Sequence, residues 1–477
     1  MYKAYITILT NVRKHPNADR LLLADVFGNT VCVSTDYTEG QLGVYFPTDG
    51  QLSVEFAEKN NLVRKKDDAG NNIGGYMDPD KRNVTAIRLR GEKSDGLFLP
   101  ISALNYCYAH GDASIELRAG DVIDGLVNGH EICCKYIPRS NTRRGTVTEG
   151  NRTRKKKVAT APLFKEHADT EQLAYNLGAF KVGDEIEITL KMHGTSQRTG
   201  YLPVLQGYKD SPWCELRNAW RKMWHGLSKK KTPFEEGHDG EPVYDYGYVS
   251  GTRRVVLDSY EGGFYGNNEF REQHSKTFEG KLWKGETVYY EVVSFTNNGT
   301  PIMGCAKVPK EAQSQYGKEM IFHYGLTEGS DLYVYRMTMT NEDGDVIEYT
   351  PDFMRYRCEQ MGVKTVPVFF RGHITRAGIN GDGAFEYHIS DGIKMGACYG
   401  DGAIGDMIKA AAEDFYDGPD PIGKTHVREG VVVRIINRPK FTAYKHKNFL
   451  FKQISGIIVN NVADTNTAVD EEILSEI

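Results

Sequence analysis

The sequence predicts an α+β protein whose N-terminal part is an all-β module. Two observations support this class. Short β-rich runs fill about the first 125 residues, with turn-forming Asn, Gly, Asp and Pro between them and no strong helical pattern. From residue 163 onward, further strand-like runs alternate with two helical stretches, at 213–231 and 405–417.

The N-terminal strands are short and closely spaced. Gly28-Asn29 and Asp49-Gly50 supply turn chemistry between them. Such a series predicts a small barrel of the OB or SH3-like kind, although any all-β module has a similar pattern. The predicted strands are AYITIL at 4–9, RLLLADVF at 20–27, TVCVST at 30–35, LGVYFP at 42–47 and VTAIRL at 84–89.

The later strands and helices complete the mixed pattern. The runs DEIEITL, ETVYYEVVSF, DLYVYRMTMT, VREGVVVRII and KNFLFKQIS are predicted strands. The helix at 213–231 carries three tryptophans and a basic end. The last stretch, 461–477, is acidic and is expected to be a frayed terminal helix.

Composition limits the class of protein. The 477 residues suffice for two or three domains, and 26% charged with 40% hydrophobic residues is ordinary for a soluble globular protein. A net charge of −5 gives no global basic field. The eight cysteines form no CxxC pair, which argues against a zinc ribbon or disulfide framework. The N-terminus lacks the apolar core of a signal peptide, and no apolar run is long enough to span a membrane. We therefore expect a cytoplasmic protein without a membrane partner.

One local segment is strongly basic. Residues 136–162 hold eight Lys and Arg against a single acid, Glu149. Such a block is either a solvated loop or a contact for a phosphate backbone, and the sequence leaves both interpretations open.

The run LKMHGTSQRTGY contains the residue types of a covalent-catalysis site. Lys191 is a candidate nucleophile, although a free lysine amine with a pKa of about 10.4 is almost wholly protonated near neutral pH. Gly194 allows a close backbone approach. Thr195 and Ser196 add hydroxyls, and Arg198 could reach a sugar or phosphate oxygen.

Charged residues in later strands could be the partners of Lys191. Glu291 and Glu429 are carboxylates in otherwise apolar strands, where a charge is costly unless it binds a cation or a hydroxyl. Lys445 and Lys447 share one face of an extended segment, and an anion between them would relieve their repulsion. Either glutamate could also be a solvated strand end.

Two tyrosines could contact a base. Tyr333 and Tyr335 lie on one face of the run DLYVYRM, where a ring could stack on a planar ligand, although core packing is the favoured interpretation for either tyrosine alone.

These runs, taken in order, resemble motifs I, III, IIIa, IV and V of the covalent nucleotidyltransferases, which comprise polynucleotide ligases and mRNA capping enzymes. The motifs are KMHGTS at 191–196, YYEVV at 289–293, LYVYR at 332–336, REGVVVR at 428–434 and KHK at 445–447. DNA ligases and capping enzymes have Asp at the motif position that His193 occupies. A histidine at this position resembles the KxHG motif common among RNA ligase 2-like enzymes. The 25 residues after Lys452 are too few for the C-terminal OB domain of those two classes.

The N-terminal region narrows the resemblance to the RNA ligase 5 family of ATP-dependent RNA ligases. Residues 13–34, 40–53 and 84–101 are similar to the N-terminal OB module of that family, and CCKYIPR at 133–139 resembles the start of its transferase domain. The resemblance implies an OB-type barrel at 1–127 and an adenylyltransferase domain at 128–460. That second domain would have the ligase and capping-enzyme (ATP-grasp-like) fold, with antiparallel sheets and flanking helices. An acidic tail would follow at 461–477. HPNADRL at 15–21 also resembles a tRNA-binding OB module.

The resemblance also implies the chemistry. ATP would adenylylate Lys191, and the adenylate would pass to an RNA 5′-phosphate that a 3′-hydroxyl then attacks. Mg²⁺ or Mn²⁺ would assist, and the partner would be RNA with such ends, expected as a nicked duplex, with no obligate protein partner. A DNA ligase, a capping enzyme and a non-catalytic RNA-binding protein remain the alternatives.

Roles follow for the matching residues. Gly194 belongs to the nucleotide site, Glu291 would bind the ribose with help from Arg198, and Tyr335, or its neighbour Tyr333, would stack on adenine. Glu429 would hold the metal, and Lys445 and Lys447 would contact the α-phosphate. His193 would act on pyrophosphate release or on the nucleic acid. SGTRR at 250–254 resembles motif Ia, which makes Arg253 or Arg254 the candidate RNA contact.

Two stretches are longer than the motif pattern needs. Residues 202–248 contain the Trp-rich helix, which would extend the RNA contact or simply cover surface. Residues 340–425 include a glycine-rich run, which would be a mobile flap.

Overall fold

The fold was obtained as a computed structural model. It describes residues 2–66, 72–108, 117–136, 160–167, 170–227, 236–257, 260, 265, 268–383, 386–389, 392–395, 398–400, 402–454 and 458–459. Antiparallel sheets with flanking helices make up the structure, so the predicted α+β class is confirmed.

The N-terminal region consists of several small sheets. Its largest sheet is antiparallel, in the order Leu97–Pro100, Leu42–Phe46, Ala4–Ile8 and Val122–Ile123. Among the residues that the structure describes here, no sheet closes on itself, so the OB-type barrel remains a prediction. The other strands are Thr10–Lys14, Leu21–Val26, Asn29–Ser34, Gly50–Leu52, Lys65–Lys66, Asn72–Gly74, Asn83–Val84, Ala86–Leu89, Glu92–Ser94, Leu126–Val127, His130–Glu131 and Cys133–Lys135, with a helix at Val54–Lys59 and a 3-10 turn at Ile101–Cys107.

A predicted turn illustrates how the sequence forms these sheets. Val26 pairs with Asn29, so Phe27 and Gly28 alone connect two antiparallel strands. Both residues have positive φ, 51° and 73°, as a tight hairpin turn with the twist of its strands requires. The turn therefore lies one residue before the predicted Gly28-Asn29 pair, because Asn29 already belongs to the next strand.

Two larger sheets form the rest of the molecule. The six-stranded sheet runs in the order Pro242–Gly251, Thr195–Tyr208, Glu286–Ser294, Ser330–Thr340 and Val346–Glu348, and Lys364–Thr365 joins the fourth of these strands in parallel. The seven-stranded sheet runs in the order Glu171–Gln172, Thr442–Lys447, Gly430–Ile435, Glu185–Leu190, Val368–Thr375, Gly378–Gly381 and Cys398–Gly400. Every residue of the strand Glu286–Ser294 is buried, so this strand lies in the centre of the core.

Helices and short hairpins surround the two sheets. The helices are Pro212–Leu227, Glu269–Lys276, Gln313–Tyr316, Pro351–Met361, Ile404–Tyr416 and Phe449–Ile454, with 3-10 turns at Leu173–Tyr175, Leu177–Ala179 and Lys310–Ala312. The hairpins pair Cys305–Lys307 with Glu319–Ile321 and Glu386–Ile389 with Gly392–Met395. Both predicted helices, at 213–231 and 405–417, are confirmed within the described residues.

One predicted strand is wrong. The run KNFLFKQIS forms the helix Phe449–Ile454 instead. The Asn448 side-chain oxygen accepts the main-chain N–H groups of Leu450 (2.6 Å) and Phe451 (3.3 Å), which is how a cap residue starts a helix. Phe451 and Ile454, three residues apart, are then buried on one face.

The stretch 340–425 contributes a central strand and a packed helix to the seven-stranded sheet. Its strand Val368–Thr375 pairs directly with Glu185–Leu190 in the seven-stranded sheet, and its helix Ile404–Tyr416 packs on the core of that sheet. The predicted flap within 340–425 and the basic segment 136–162 lie partly outside the described residues. The acidic tail 461–477 lies wholly outside them. Among the helices of the described residues, none is both long and apolar enough to cross a membrane.

Candidate functional site

Lys191 lies where the chain passes from one large sheet to the other. The strand Glu185–Leu190 ends just before Lys191 in the seven-stranded sheet, and Thr195–Tyr208 begins four residues later in the six-stranded sheet. The main-chain N–H of Lys191 donates to the carbonyl of Gly430 at 3.0 Å. The main chain of the lysine is therefore fixed, and its side chain lines a cleft to which both sheets contribute residues.

Gly194 is required by the closeness of a neighbouring strand. A Cβ atom at this position would lie 2.4 Å from the carbonyl oxygen of Val292 and 3.0 Å from Cγ of Glu291. The sequence predicted a close backbone approach here. The structure shows that the main chain approaches the strand Glu286–Ser294, which brings Lys191 and Glu291 to the same cleft.

A buried carboxylate joins three of the predicted residues. Glu429 Oε1 lies 2.7 Å from Lys191 Nζ and 3.1 Å from Lys447 Nζ, and its Oε2 lies 3.4 Å from His193 Nδ1. The Glu429 side chain is fully buried, and those of Lys191 and Lys447 are 13% and 6% exposed. A carboxylate so deep in the protein is costly without an opposite charge, so these contacts stabilise it.

Strand register explains why these residues meet. Gly430 pairs with Lys447, and Val431 pairs with Leu190 on the other side. Glu429 and Lys191 therefore lie at the same end of adjacent strands, beside Lys447. Gly430 has φ +146°, and a Cβ there would lie 2.1 Å from the carbonyl oxygen of His446, so this position favours glycine.

His193 is held by an aromatic group that the sequence did not reveal. Its main-chain N–H donates to the Tyr324 hydroxyl at 2.6 Å, and its ring packs edge-on against Phe322 and Phe451. Burial raises the pKa of Tyr324 well above its usual value. The ring of His426 packs against Tyr324, and burial lowers the pKa of this histidine to about 4.

The cleft also contains most of the remaining predicted residues. Glu291, Tyr335, Lys445 and Arg253 line it together with Lys191. Tyr335 rather than Tyr333 faces the cleft, and its hydroxyl lies 3.0 Å from Ser196 Oγ.

Tyr333 is instead part of the core. It is 6% exposed and packs in the main hydrophobic cluster. Arg254, the neighbour of Arg253, is exposed. The structure therefore brings Tyr335 of the predicted tyrosine pair and Arg253 of the predicted arginine pair to the cleft.

The side chains of Arg198 and Thr195 are buried and hydrogen-bonded within the protein. The Arg198 guanidinium donates to the main-chain carbonyls of Phe164, Lys165 and Thr252, and burial lowers its pKa. The hydroxyl of Thr195 accepts a hydrogen bond from Arg271. The structure does not bring Arg198 into the cleft lining, where the sequence predicted a nucleotide contact.

The cleft wall includes an ion pair that sequence reasoning missed. Glu187 Oε2 lies 2.9 Å from Arg355 Nη1, and Glu187 pairs across the sheet with Arg434. Arg434 is a charged residue in an otherwise apolar strand, which is the same signal that identified Glu291 and Glu429. Glu187 lies in a strand that also contains Glu185 and Thr189, so this signal is weaker there. His167 also lines the cleft, between the rings of Tyr289, Tyr335 and Phe441, and no sequence pattern marked it.

Glu429 is the predicted metal ligand, and its chemistry suits that role. A carboxylate oxygen is the ligand that Mg²⁺ and Mn²⁺ prefer, and cationic or polar groups surround this one on both oxygens. Within the described residues, a separate group that could share one ion is Asp210, Cys214 and Asp239. Hydrogen bonds from Ser211, His238 and the main chain already satisfy the two aspartates of that group.

Comparison with solved structures identifies a similar fold. The chain is similar to Naegleria gruberi RNA ligase bound to pyrophosphate, with a TM-score of 0.52, 15% identity, and coverage of 94% of this chain and 97% of that one. It is likewise similar to a lysine-to-methionine variant of that ligase with AMP and Mn, with a TM-score of 0.51, 15% identity, and coverage of 94% and 98%. At this identity the likeness shows the fold alone. No family model matches the chain, and no curated protein sequence does.

Proposed function

We propose that this protein is an ATP-dependent RNA ligase that seals 3′-hydroxyl and 5′-phosphate RNA ends or nicks through a lysyl-AMP intermediate and an RNA-adenylate. The observation that carries the proposal is the contact of Lys191 with the buried Glu429 beside Lys447, at a cleft that also contains Glu291 and Lys445. The shared fold with an RNA ligase whose solved structures contain AMP and Mn supports it. The proposed family is the RNA ligase 5 family, with the OB-type module at 1–127.

Each step would be a displacement at phosphorus. Lys191 Nζ attacks the α-phosphorus of ATP, a P–N bond forms, and pyrophosphate leaves with the broken P–O bond. An oxygen of the RNA 5′-phosphate then attacks the same phosphorus and releases the lysine. Finally, the RNA 3′-oxygen attacks the 5′-phosphate, loses its proton, and AMP leaves. Positioning and charge neutralisation dominate catalysis of such transfers.

Lys191 Nζ lies 2.7 Å from Glu429, and an ammonium has no lone pair for attack, so the lysine must be deprotonated before it reacts. A divalent cation held by Glu429, Mg²⁺ or Mn²⁺, would supply positive charge that displaces this ammonium and neutralises phosphate oxygens. Lys191 would then lose its proton and be able to reach the nucleotide. Lys447 remains beside the same carboxylate and keeps a positive charge where negative charge develops.

The other cleft residues would bind the nucleotide and the RNA. Glu291 would accept hydrogen bonds from the ribose hydroxyls, Tyr335 would stack on adenine, and Lys445 would contact the α-phosphate. Arg253 is the candidate for the RNA backbone, because an arginine fork matches a phosphate. Arg198 would act by holding the main chain near residues 164–165 and 252, rather than by touching ATP.

The test is intact-mass spectrometry after incubation with ATP and Mg²⁺ or Mn²⁺, on protein freed of any bound AMP. We expect a gain of one adenylate in the wild type and in Lys440→Ala, whose lysine is exposed in a turn, and no gain in Lys191→Ala. RNA sealing by the wild type would follow. If neither ATP nor GTP forms an adduct, the ligase proposal is wrong.

A further inference from the structure

The cleft that contains Lys191 extends well beyond it along one strand. Glu187, Thr189 and Lys191 occupy alternate positions of the chain, and all three line the cleft. At about 3.3 Å per strand residue, Glu187 lies about 13 Å from Lys191 along the chain. The α-phosphorus of a reacting nucleotide must lie at Lys191, so the far end of the cleft is available to another part of the same nucleotide.

An ion pair lies at this far end. Glu187 is 3% exposed, and its Oε2 lies 2.9 Å from Arg355 Nη1. This contact lacks the geometry of a hydrogen bond, and among the described residues Oε2 accepts none. Arg355 Nη2 donates to Asp352 at 2.8 Å, which holds the guanidinium in place. A buried carboxylate gains free energy from a hydrogen-bond donor, and Glu187 lines the cleft, where a ligand can supply one.

Aromatic contacts place Tyr335 at the same end of the cleft. The Tyr335 ring lies 5.3 Å from the ring of His167, which lies 5.6 Å from the ring of Phe441. The Arg434 guanidinium is 5.1 Å from the Phe441 ring, and Arg434 pairs with Glu187 across the sheet. All five residues line the cleft. A base stacked on Tyr335 would therefore have its edge near Glu187.

The space beside Tyr335 has apolar walls. Tyr335 belongs to the six-stranded sheet, whereas Val432 lines the cleft from the seven-stranded sheet. Met354 and Val366 add further apolar surface to the lining. A flat ring fits between such walls, and a small number of polar groups at its edge then fix its orientation and identity.

A neighbouring acceptor and donor match one edge of adenine. The 6-amino group of adenine donates hydrogen bonds, and the ring nitrogens near it accept them. Guanine carries the acceptor O6 at the position of that amino group, so its edge would bring an oxygen against the Glu187 carboxylate. Two acceptors in contact inside a protein are unfavourable, because neither of them then has a donor.

We infer that Glu187 and Arg355 select the base of the nucleotide: Glu187 accepts a hydrogen bond from the 6-amino group of adenine, and Arg355 donates one to a ring nitrogen near it. The inference rests on the proposed function and deepens it, because it assigns the choice of ATP over GTP to two residues. A purely structural ion pair would hold the helix Pro351–Met361 against the sheet and would leave the choice of nucleotide unchanged.

The first test needs only the wild-type protein. Adduct formation on Lys191, followed by time-resolved intact mass, is compared for ATP and for purine riboside triphosphate, which lacks only the 6-amino group. Loss of a hydrogen bond to a charged group should lower the second-order rate constant about tenfold or more. Equal rate constants for the two nucleotides would overturn the inference.

Variants at position 187 separate base recognition from folding, because the ratio of two rate constants is measured on one protein. In Glu187→Ala the acceptor is lost, so ATP and the purine analogue should react within about threefold of each other. Glu187→Gln keeps an accepting oxygen and should retain part of the preference. Glu185→Ala removes a carboxylate from the same strand, outside the cleft lining, and should keep the wild-type ratio. A wild-type ratio in Glu187→Ala would show that the ion pair is only structural.

Arg355 is tested with ATP analogues in which a carbon replaces one ring nitrogen, 1-deaza-ATP and 7-deaza-ATP. One of the two should react about tenfold or more slowly than ATP in the wild type, and this difference should disappear in Arg355→Met. Arg371→Met is the matched control, because Arg371 also donates to Asp352 but does not line the cleft. ATP-like rates for both analogues in the wild type would contradict the role of Arg355.

GTP separates failure of this inference from failure of the proposed function. The wild type should form the adduct about tenfold or more faster with ATP than with GTP, and Glu187→Ala should narrow this gap. If GTP reacts as fast as ATP, base selection by Glu187 is wrong while the covalent chemistry of Lys191 stands. If no nucleotide forms an adduct, the proposed function fails, and the inference fails with it.

Discussion

At the scale of single residues, one carboxylate organises the candidate site. Glu429 is shared by two ammonium groups and faces an imidazole, and it is wholly buried. Without it, Lys191 and Lys447 would be two like charges in a low-dielectric interior, which is strongly unfavourable. Glu429 therefore stabilises the arrangement as well as providing the proposed metal ligand.

Tyr324 is the residue that positions His193. Its hydroxyl accepts the His193 main-chain N–H at 2.6 Å, and both groups are buried. Without the hydroxyl, that N–H would be left unsatisfied in the interior. Because Lys191 is two residues before His193, a shift of this main chain would move the candidate nucleophile.

We predict that Tyr324→Phe slows adenylylation of Lys191 by about tenfold and destabilises the protein by about 1–3 kcal/mol, the cost of an unsatisfied buried donor. The matched control is Tyr290→Phe, which removes another fully buried hydroxyl, 2.9 Å from Thr199 Oγ1 and away from His193. The control should be destabilised but should adenylylate at the wild-type rate. Equal rates for the two variants, from time-resolved intact mass, would show that Tyr324 is only structural.

At the scale of elements, helix capping determines the secondary structure of a run whose apolar pattern is ambiguous. The run KNFLFKQIS has an apolar pattern that fits a strand, and only the cap at Asn448 distinguishes the short helix that forms. Short apolar runs are ambiguous between the two structures because periodicity needs length to be informative. The Asn448 main-chain N–H also donates to the Glu429 carbonyl at 2.8 Å, so this cap touches the candidate site.

Removing the cap should weaken the protein. We predict that Asn448→Ala lowers the free energy of unfolding by at least about 1 kcal/mol, because two helix N–H groups lose their acceptor. Asn448→Ser, which keeps an accepting oxygen, should recover part of the loss. The measurement is urea unfolding of the three proteins; equal midpoints for wild type and Asn448→Ala would contradict the capping role.

At the scale of the whole molecule, the N-terminal region and the remainder are joined by several contacts. Tyr175 stacks on Tyr5 at 4.7 Å, and Lys452 forms an ion pair with Asp95 at 2.9 Å. The strand Ile458–Val459 also pairs with Ala86 and Ile87. The chain thus returns to the N-terminal region near residue 460, so the proposed boundary between 127 and 128 separates two parts that the C-terminal strand reconnects.

Buried histidines in separate parts of the molecule should make its stability depend on pH. Burial lowers the pKa of His426 and of His274 to about 4, and burial with nearby Lys452 and Lys409 lowers that of His446 to about 3. An unfolded histidine takes up a proton near pH 6.5. Between about pH 6.5 and 4 the unfolded state therefore binds more protons, and stability falls as the pH falls.

We predict that Tm drops as the pH is lowered from 6.5 to 5 and that His426→Asn makes this drop shallower. Each buried histidine contributes at most about 1.4 kcal/mol per pH unit in that interval. His373→Asn, at an exposed position, is the control and should follow the wild type. A wild-type slope in His426→Asn would show that another group causes the acid sensitivity.

The sequence by itself determined the class of the fold, four strands of the two large sheets, and the candidate site residues. Lys191, Glu291, Glu429 and Lys445 were identifiable because a charge within an apolar or glycine-bearing run needs a partner, and this constraint is local. The order of the motifs then supplied the proposed chemistry.

Only the tertiary structure decided which residues meet. Strand register places Glu429 beside Lys191 and Lys447. A register shift pairs Tyr289 with Arg336 and Tyr290 with Val334, so Tyr335 falls at an irregularity and lines the cleft while Tyr333 stays in the core. Packing directs Arg198 to main-chain carbonyls. Tyr324 is 131 residues from His193 in the chain, and no local pattern connects them. These choices depend on packing and pairing between distant segments, whereas local patterns report only what each segment needs on its own.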